Sequence, residues 1–140
     1  GYPNRQFRPE EPIPRVQAIA ALAGGLGLTS SGDVPLATLF QDSGQIPTWA
    51  KGAIAAATAA GIVVNHPNRQ QLLPLQAATR AEVAAFIYQA LVYLDQAPPI
   101  ASDFIVRWVR TANVNHAREF RAVWVASVWN GDFPSQPGLT

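Results

Sequence analysis

The sequence contains no cysteine and no methionine, not even at position 1. Without cysteine, the chain can form neither disulfides nor thiolate metal sites. The net charge is only +1, which is too small to indicate a nucleic-acid-binding surface. The longest uncharged apolar stretch, residues 52–64, has about 13 residues, whereas a membrane-spanning helix needs about 20. We therefore expect no nucleic-acid partner and no membrane insertion.

Motifs for catalysis and for metal binding are also missing. Neither His66 nor His116 has a second histidine or a carboxylate at the spacing of metal ligands. The sequence has no nucleophile elbow, no phosphate-binding glycine loop and no pair of carboxylates suited to glycoside hydrolysis. We expect no catalytic residue, no metal site and no cofactor.

One segment, a loop followed by a helix, occurs twice. Pro-Asn-Arg-Gln occupies residues 3–6 and again residues 67–70, and Arg15 and Arg80 then stand at the same distance behind a shared proline. Such repetition predicts a modular architecture rather than a single enzymatic core. The first copy begins in the middle of the repeated segment, and the initial methionine is absent. We therefore expect the chain to be a fragment of a longer protein.

The composition, with 49% apolar and 14% charged residues, is typical of a folded protein, and the apolar periodicity predicts a mainly α fold. Three helices are predicted, over Pro14 to Leu26, Pro47 to Ala60 and Thr79 to Leu94. In the third, Thr79 and Glu82 have the spacing of a capping box. The many alanines of the second predict a close approach by another helix. Residues 62–64 predict a short extended segment.

The chain changes character after the third helix. Residues 96–100 read as a stiff proline-containing linker, and residues 102–110 as either a short helix or an extended arm. Beyond residue 118, an apolar run that includes Trp124 and Trp129 predicts a strand buried on both faces. A domain boundary is therefore expected near residues 96–118, before a C-terminal extended or β segment.

Two arginines are the first candidate binding residues. Arg15 and Arg80 begin the first and third helices, where the helix dipole disfavours a cation. In one interpretation, each arginine and the free amides of its helix bind a carboxylate or an acidic sugar. In the other, each forms an internal salt bridge, for instance with Asp42 or with an acidic residue of a neighbouring repeat.

Three further residues belong to the same part of the sequence. Glu82 is predicted first as a capping-box residue, with a ligand contact as the alternative. Asp42 lies in the loop before the second helix, and Trp49 in its first turn. We assign Trp49 to the core, and a stacking surface for a sugar ring is the alternative.

Short motifs follow one another in a fixed order along residues 36–95: Phe40-Gln41-Asp42, Trp49-Ala50-Lys51-Gly52, Gly61-Ile62, Asn65-His66-Pro67-Asn68 and Thr79-Arg80-Ala81-Glu82. This order closely resembles a complete S-layer homology (SLH) repeat, and residues 1–28 resemble the second half of a preceding one. The resemblance implies helix-loop-helix repeats that assemble as a pseudo-threefold bundle, which would be incomplete in this chain.

The resemblance also implies a function. SLH repeats bind cell-wall polysaccharide in their grooves, often through a pyruvylated and hence acidic sugar. The ligand-binding residues that it implies here are Arg80, Arg15, Glu82, Asp42 and Trp49. The implied partners are an acidic cell-wall polysaccharide and further SLH repeats of the parent chain, and the implied location is the bacterial cell envelope, at the surface or in the periplasm. Pro14 and Gln17 replace Thr and Glu of the family motif, so the groove around Arg15 is expected to bind weakly or to serve only as structure.

Residues 118–140 are similar to the opening strand of a glycoside-hydrolase-like family related to family 10 enzymes. This similarity implies the first strand and loop of a truncated TIM barrel, whose catalytic acids would come from later strands, with residues 96–117 as the linker. Three hypotheses follow. The chain is a wall-anchoring module, a fragment of a wall-associated glycoside hydrolase, or a structural or protein-binding scaffold in which a partner chain covers the alanine-rich face of the second helix.

Overall fold

The computed structural model describes residues 9–30 and 32–109. The chain divides into two units, residues 1–110 and 111–140, and the second lies outside the described residues. The strand predicted beyond residue 118 and its resemblance to a hydrolase barrel therefore stay predictions. The first copy of Pro-Asn-Arg-Gln, residues 3–6, also lies outside the described residues.

The described part is mainly helical, as predicted. Its elements in chain order are the helices α1 (Arg15–Gly25) and α2 (Leu36–Leu39), the 3₁₀ turns Ser43–Gln45 and Thr48–Ala50, helix α3 (Lys51–Ala59), strand β1 (Val63–Val64), helix α4 (Arg80–Tyr93) and strand β2 (Ile105–Val106). The three predicted helices are α1, α3 with its preceding 3₁₀ turn, and α4. The predicted capping box of Thr79 and Glu82 is formed at the start of α4. Helix α2 was not predicted, because four residues are too few to show a helical period.

The three longer helices end in the same way. The residue after each C-cap has a left-handed backbone, with φ of 64° at Gly27, 71° at Gly61 and 57° at Asp95. The amide that follows each of them donates to the carbonyl five residues earlier, at 2.8 or 2.9 Å. This is the Schellman arrangement, which satisfies carbonyls that a helix end leaves open.

The core lies where α1 packs against α3. Val16 and Ile19 of α1 are buried together with Ile54 and Ala57 of α3. Ala55 and Ala56 are buried as well, so the alanine-rich helix has a close helical neighbour, as predicted. That neighbour belongs to the same chain, whereas the scaffold hypothesis expected a partner chain on this face.

The segment after α4 returns to the core. Strand β2 pairs antiparallel with β1, with Val106 opposite Val63, and Val106 is 1% exposed. The amide of Asn65 donates to the Phe104 carbonyl at 2.9 Å. Of the two structures considered for residues 102–110, the extended one is therefore observed, over residues 105–106.

The assignment of Trp49 to the core is wrong, because its side chain is 64% exposed. Ala50, Ile54 and Ala57 form the buried stripe, and each is fully buried. Trp49 lies one residue before that stripe in a 3₁₀ turn, so its side chain points about 120° away from the stripe. No helix in the described part is long and apolar enough to span a membrane.

Candidate functional site

The N-terminus of α1 is closed by the loop that precedes α4. The amides of Arg15 and Val16 donate to the carbonyls of Gln76 and Pro74 at 2.8 and 3.0 Å. These are first-turn amides, which a helix leaves without internal partners. Because backbone carbonyls occupy them, this helix end offers little to an anion.

The Arg15 side chain is 1% exposed and is surrounded by acceptors. Its Nε donates to the Leu72 carbonyl at 2.7 Å. Its Nη2 donates to the Val64 carbonyl at 3.2 Å and to Asn65 Oδ1 at 2.7 Å. Its Nη1 forms an ion pair with Glu82 Oε1 at 2.5 Å. We call these five residues the arginine cluster.

Glu82 makes polar contacts at the N-termini of two helices, α4 and α1. Its Oε2 accepts hydrogen bonds from the Thr79 amide at 2.7 Å and from the Thr79 hydroxyl at 3.0 Å, which caps α4. Its Oε1 pairs with Arg15 at the start of α1. Partial burial alone would raise the pKa of Glu82, but the hydrogen bonds from Thr79 and the charge of Arg15 outweigh it and hold the pKa below its ordinary value.

Burial lowers the pKa of the Arg15 guanidinium, and the Glu82 and Asp42 carboxylates oppose that effect. Arginine nevertheless stays protonated in proteins, so a cation is held inside the protein. The Phe86 ring adds a favourable contact, with the guanidinium carbon 5.2 Å from the ring centroid. The anion that the first turn of α1 requires is therefore supplied from within the chain.

Asp42 fixes the loop that faces Arg15. Its Oδ1 accepts from the Leu72 amide at 3.0 Å and its Oδ2 from the Leu73 amide at 2.7 Å. Leu73 has a left-handed φ of 51°, which costs a non-glycine residue about 1–2 kcal/mol. Asp42 therefore stabilises this strained turn. The carbonyl of Leu72, the residue before Leu73, accepts a hydrogen bond from Arg15.

Arg80 lies in different surroundings from Arg15. It is exposed and lines a surface groove of about 620 Å³ between α4 and residues 9–13. Its guanidinium makes no hydrogen bond or ion pair within residues 9–30 and 32–109, and the amides of Arg80 and Ala81 donate to none of these residues. Ile13 and Ile87 form part of the wall, and Glu10 and Glu11 line the same groove. We call it the Arg80 groove.

The predicted site residues thus fall into three places. Arg15, Glu82 and Asp42 come together around the arginine cluster, Arg80 lines its own groove, and Trp49 is exposed and does not line that groove. For Arg15 the internal salt bridge is the interpretation that the structure shows, with Glu82 as its partner. The ligand-binding roles of these residues stay predictions. In the described ranges no three His, Cys, Asp or Glu side chains are grouped as metal ligands would be.

Three members of the arginine cluster were not anticipated. Leu72 and Val64 contribute backbone carbonyls, for which side-chain identity gives no signal. Asn65 could have been identified, because a polar side chain that follows the apolar Val63–Val64 strand into the interior needs partners. It accepts from Arg15 and donates to the Arg69 carbonyl at 3.0 Å.

Comparison with known proteins gives two matches. Residues 39–84 match the model of the S-layer homology domain. The chain is also 35% identical over 91 residues to cell surface glycoprotein 1 of Acetivibrio thermocellus, an alignment that covers 65% of this chain and 4% of the relative. No solved structure is significantly similar. Residues 39–84, which include Asp42, Arg80 and Glu82, are thus similar to the S-layer homology domain.

Proposed function

We propose that this chain is a cell-envelope module that tethers a larger surface protein to an anionic cell-wall polysaccharide, such as one that carries pyruvate ketals. The observation that carries the proposal is the contrast between two equivalent arginines. Arg15 is buried and paired with Glu82, whereas Arg80 is an exposed cation without a partner among the described residues. The match to the S-layer homology domain and the cell-surface relative agree with this function.

The chemistry of the Arg80 groove suits a carboxylate. A guanidinium binds a carboxylate through two parallel hydrogen bonds, and the open amides of Arg80 and Ala81 lie at the positive end of the α4 dipole. The apolar wall that includes Ile13 and Ile87 can contact the carbon face of a sugar. Glu10 and Glu11 bring negative charge into the same groove, which opposes an acidic ligand.

Because Arg80 and Glu10 carry opposite charges, their substitution should change the binding of an anionic ligand in opposite directions. Binding of pyruvylated wall polysaccharide is measured by calorimetry for the wild type, Arg80→Ala, Glu10→Gln and the control Arg69→Ala, which removes an exposed cation outside the groove. One charge-assisted contact contributes about 1.5–3 kcal/mol, so Arg80→Ala should weaken binding by about 10- to 100-fold. Glu10→Gln should strengthen binding, and Arg69→Ala should leave it nearly unchanged.

The same polysaccharide after removal of its pyruvate tests the charge on the ligand. We expect it to bind weakly to the wild type and to be insensitive to Arg80→Ala. If Arg80→Ala and Arg69→Ala have equal effects, or if Glu10→Gln weakens binding, an anionic ligand in this groove is ruled out.

A second candidate role is structural, and the internal repeat favours it. Arg15, Val16 and Ile19 of α1 are buried under the later part of the chain, whereas Arg80, Ala81 and Ala84, which occupy the equivalent positions of α4, are exposed. A further repeat of the parent protein would cover this face, and its capping glutamate would neutralise Arg80. In this role the exposed face of α4 is an interface between two repeats of the parent protein.

Arginine modification by phenylglyoxal separates the two roles. In the 140-residue chain Arg80 should react. Glycan binding predicts that Arg80 also reacts in the full-length parent and is protected only when polysaccharide is added. Protection in the parent without polysaccharide would assign Arg80 to packing between repeats.

The glycoside hydrolase alternative rests on residues 118–140 alone, outside the described residues. It requires about 250 further residues in alternating strands and helices. The downstream reading frame tests it, and the absence of such a segment would exclude it.

A further inference from the structure

One segment connects the helices with the downstream part of the chain. Residues 98–108 follow α4 and contain β2, and the sequence continues from them through residue 110 into residues 111–140. Because this segment is the covalent connection, any tension between the helices and the downstream residues passes through it. We call residues 98–108 the strap.

The strap has little apolar contact with the helices. Of the described residues that form the core, Val106 is the one that the strap supplies. Residues 98–103 are exposed. Two adjoining clefts of about 280 and 230 Å³, both lined by Ile100 and Ile105, lie between the strap and α4. A gap of this kind removes dispersion contacts that close packing would provide, so the strap is loosely packed against α4.

Hydrogen bonds supply the rest of the attachment. The Asn65 amide donates to the Phe104 carbonyl at 2.9 Å beside the paired strands. The Tyr88 hydroxyl donates to the Pro98 carbonyl at 2.8 Å, and this bond is exposed. When the strap opens, water replaces both partners, so the net contribution of such bonds to stability is small.

The order of the strands decides how tension acts on their pairing. Val63, where β1 begins, lies opposite Val106, where β2 ends. The chain from α3 and the chain toward residue 111 therefore meet the strand pair at the same end. Tension between them opens the pair one residue at a time from Val106, instead of breaking all its bonds together. Beyond this end, the Trp108 amide lies 3.4 Å from the Thr58 carbonyl, which is long for such a bond.

The other contacts of the fold do not depend on the strap. The acceptors of the arginine cluster belong to residues 64–82, and the Arg80 groove is lined by residues 9–13 and 78–87. The packing of α1 against α3 also lies outside it. Detachment of the strap therefore leaves the joined repeats and the groove in place.

We infer that the strap is released by tension, so that the connection to the downstream chain lengthens while the helices stay folded. About 11 residues span at most about 40 Å when fully extended, and this length is the upper limit of the gain. The inference rests on the proposed function for the source of the tension, a polymer held in the Arg80 groove. Early opening of the strap itself requires no ligand.

Pulling on single molecules of the 140-residue chain tests the inference. The sequence has no cysteine, so Lys51→Cys and Val109→Cys provide two unique thiols at exposed positions. We expect a first extension of at most about 40 Å, at a lower force than the unfolding of the helices. In the control pair, Lys51→Cys with Gln96→Cys, the strap is not loaded, and this first extension should be absent.

Substitutions within the strap identify what holds it. Val106→Ala should lower the force of the first extension, whereas Ile100→Ala, at a position that is 55% exposed, should leave it nearly unchanged. A single extension that unfolds strap and helices together would overturn the inference. So would the same first extension in the control pair.

Hydrogen exchange of the unmodified chain is an independent test. The Asn65 amide should exchange through a local opening that depends weakly on urea, whereas amides of α3 should show the strong dependence of global unfolding. Val106→Ala should speed Asn65 exchange about 30-fold, which is the roughly 2 kcal/mol of lost burial converted at about 1.4 kcal/mol per tenfold. Equal urea dependence of the Asn65 and α3 amides would mean that the strap opens only with the whole fold, which overturns the inference.

The two proposals can fail separately, because neither experiment contains polysaccharide. If the strap opens only with the helices, the inference is wrong whatever Arg80→Ala does to binding. If the strap opens early but Arg80→Ala does not weaken polysaccharide binding, only the proposed function fails.

Discussion

At the residue scale, the position of Arg15 depends on Glu82. Removal of one partner of a buried ion pair costs about 3–5 kcal/mol, because the other charge is left unpaired. Arg15 is 2% and Glu82 23% exposed at the side chain, so the lower end of that range applies. The four acceptors of the cluster are supplied by residues from 64 to 82, which binds the first copy of the repeat to the second.

We predict that Glu82→Gln lowers the free energy of unfolding by about 3 kcal/mol. Glutamine can still cap α4, so the loss should come mainly from the unpaired Arg15. Urea unfolding at neutral pH measures it. Glu10→Gln removes an exposed carboxylate and should change stability by less than about 0.5 kcal/mol. Equal losses in the two variants would contradict a buried ion pair.

The lowered pKa of Glu82 gives this pair a pH dependence. A carboxylate whose pKa is lower in the folded than in the unfolded protein adds stability above the unfolded value, about 4.3, and that stability is lost as the pH falls through the folded value. The advantage of the wild type over Glu82→Gln should therefore be constant above about pH 5.5 and decrease in more acidic solution. Unfolding curves from pH 7 down to acid test this, and an advantage that grows toward low pH would disprove it.

The sequence predicted that Arg15 needs an anion but could not select it. Glu82 already had a complete explanation as the capping residue of α4, and the sequence does not show that its second oxygen faces another helix. Asp42 and an unspecified acid of a neighbouring repeat were the two candidates for an internal bridge. Glu82 is such an acid and pairs with Arg15, whereas the two oxygens of Asp42 hold the turn at Leu72 and Leu73. The cluster depends on three-dimensional proximity across about 65 residues of chain, which helical periodicity does not encode.

At the element scale, the helices were predictable because their signals are local. The capping box, the proline before α1 and the glycine after α3 each act within one turn of a helix end. Trp49 was misplaced because the 3₁₀ turn before α3 shifts the face on which it lies. Short elements such as α2 and the paired strands depend on partners distant in sequence, so only their extended or turn character was detectable.

Replacement by alanine should change the free energy of unfolding in opposite directions at Gly61, just after α3, and at Gly52, within α3. Gly61 has a φ of 71°, and a Cβ there would lie 2.6 Å from Arg107 Nε, so Gly61→Ala should cost about 1–2 kcal/mol. Gly52 lies in α3 with nothing within 4 Å of a Cβ, so Gly52→Ala should add about 0.5–1 kcal/mol. Thermal or urea unfolding of both variants provides the comparison. The same sign for both would refute the left-handed cap at Gly61.

At the scale of the whole molecule, the described fold continues into residues 96–117, which were predicted as a linker. Strand β2 closes the core beside β1, so residues 105–106 belong to the same compact unit as the helices. The contribution of β2 to the core was not predicted, because the proline-containing stretch before it is typical of a linker. The sequence pattern alone could not show that the chain turns back to pair with β1.

Val106 provides the corresponding prediction. Its side chain is 1% exposed within the core, and Val106→Ala should cost about 2 kcal/mol through lost burial and the cavity that remains. Val109 is 70% exposed, and Val109→Ala should cost less than about 0.5 kcal/mol. Urea unfolding again measures the difference. If the two valines are equally tolerant, residues 105–106 do not belong to the core.

The way in which Glu82 neutralises Arg15 gives this architecture a direction. Arg15 begins the first copy of the repeat and pairs with an acid of the second copy, so the two copies are joined in a defined order. The charge of Arg15 is neutralised at the contact between the two copies, whereas Arg80, the equivalent arginine of the second copy, has no ion-pair partner among the described residues. Of these two arginines, only the exposed Arg80 is accessible to the anionic polymer that we propose as the ligand.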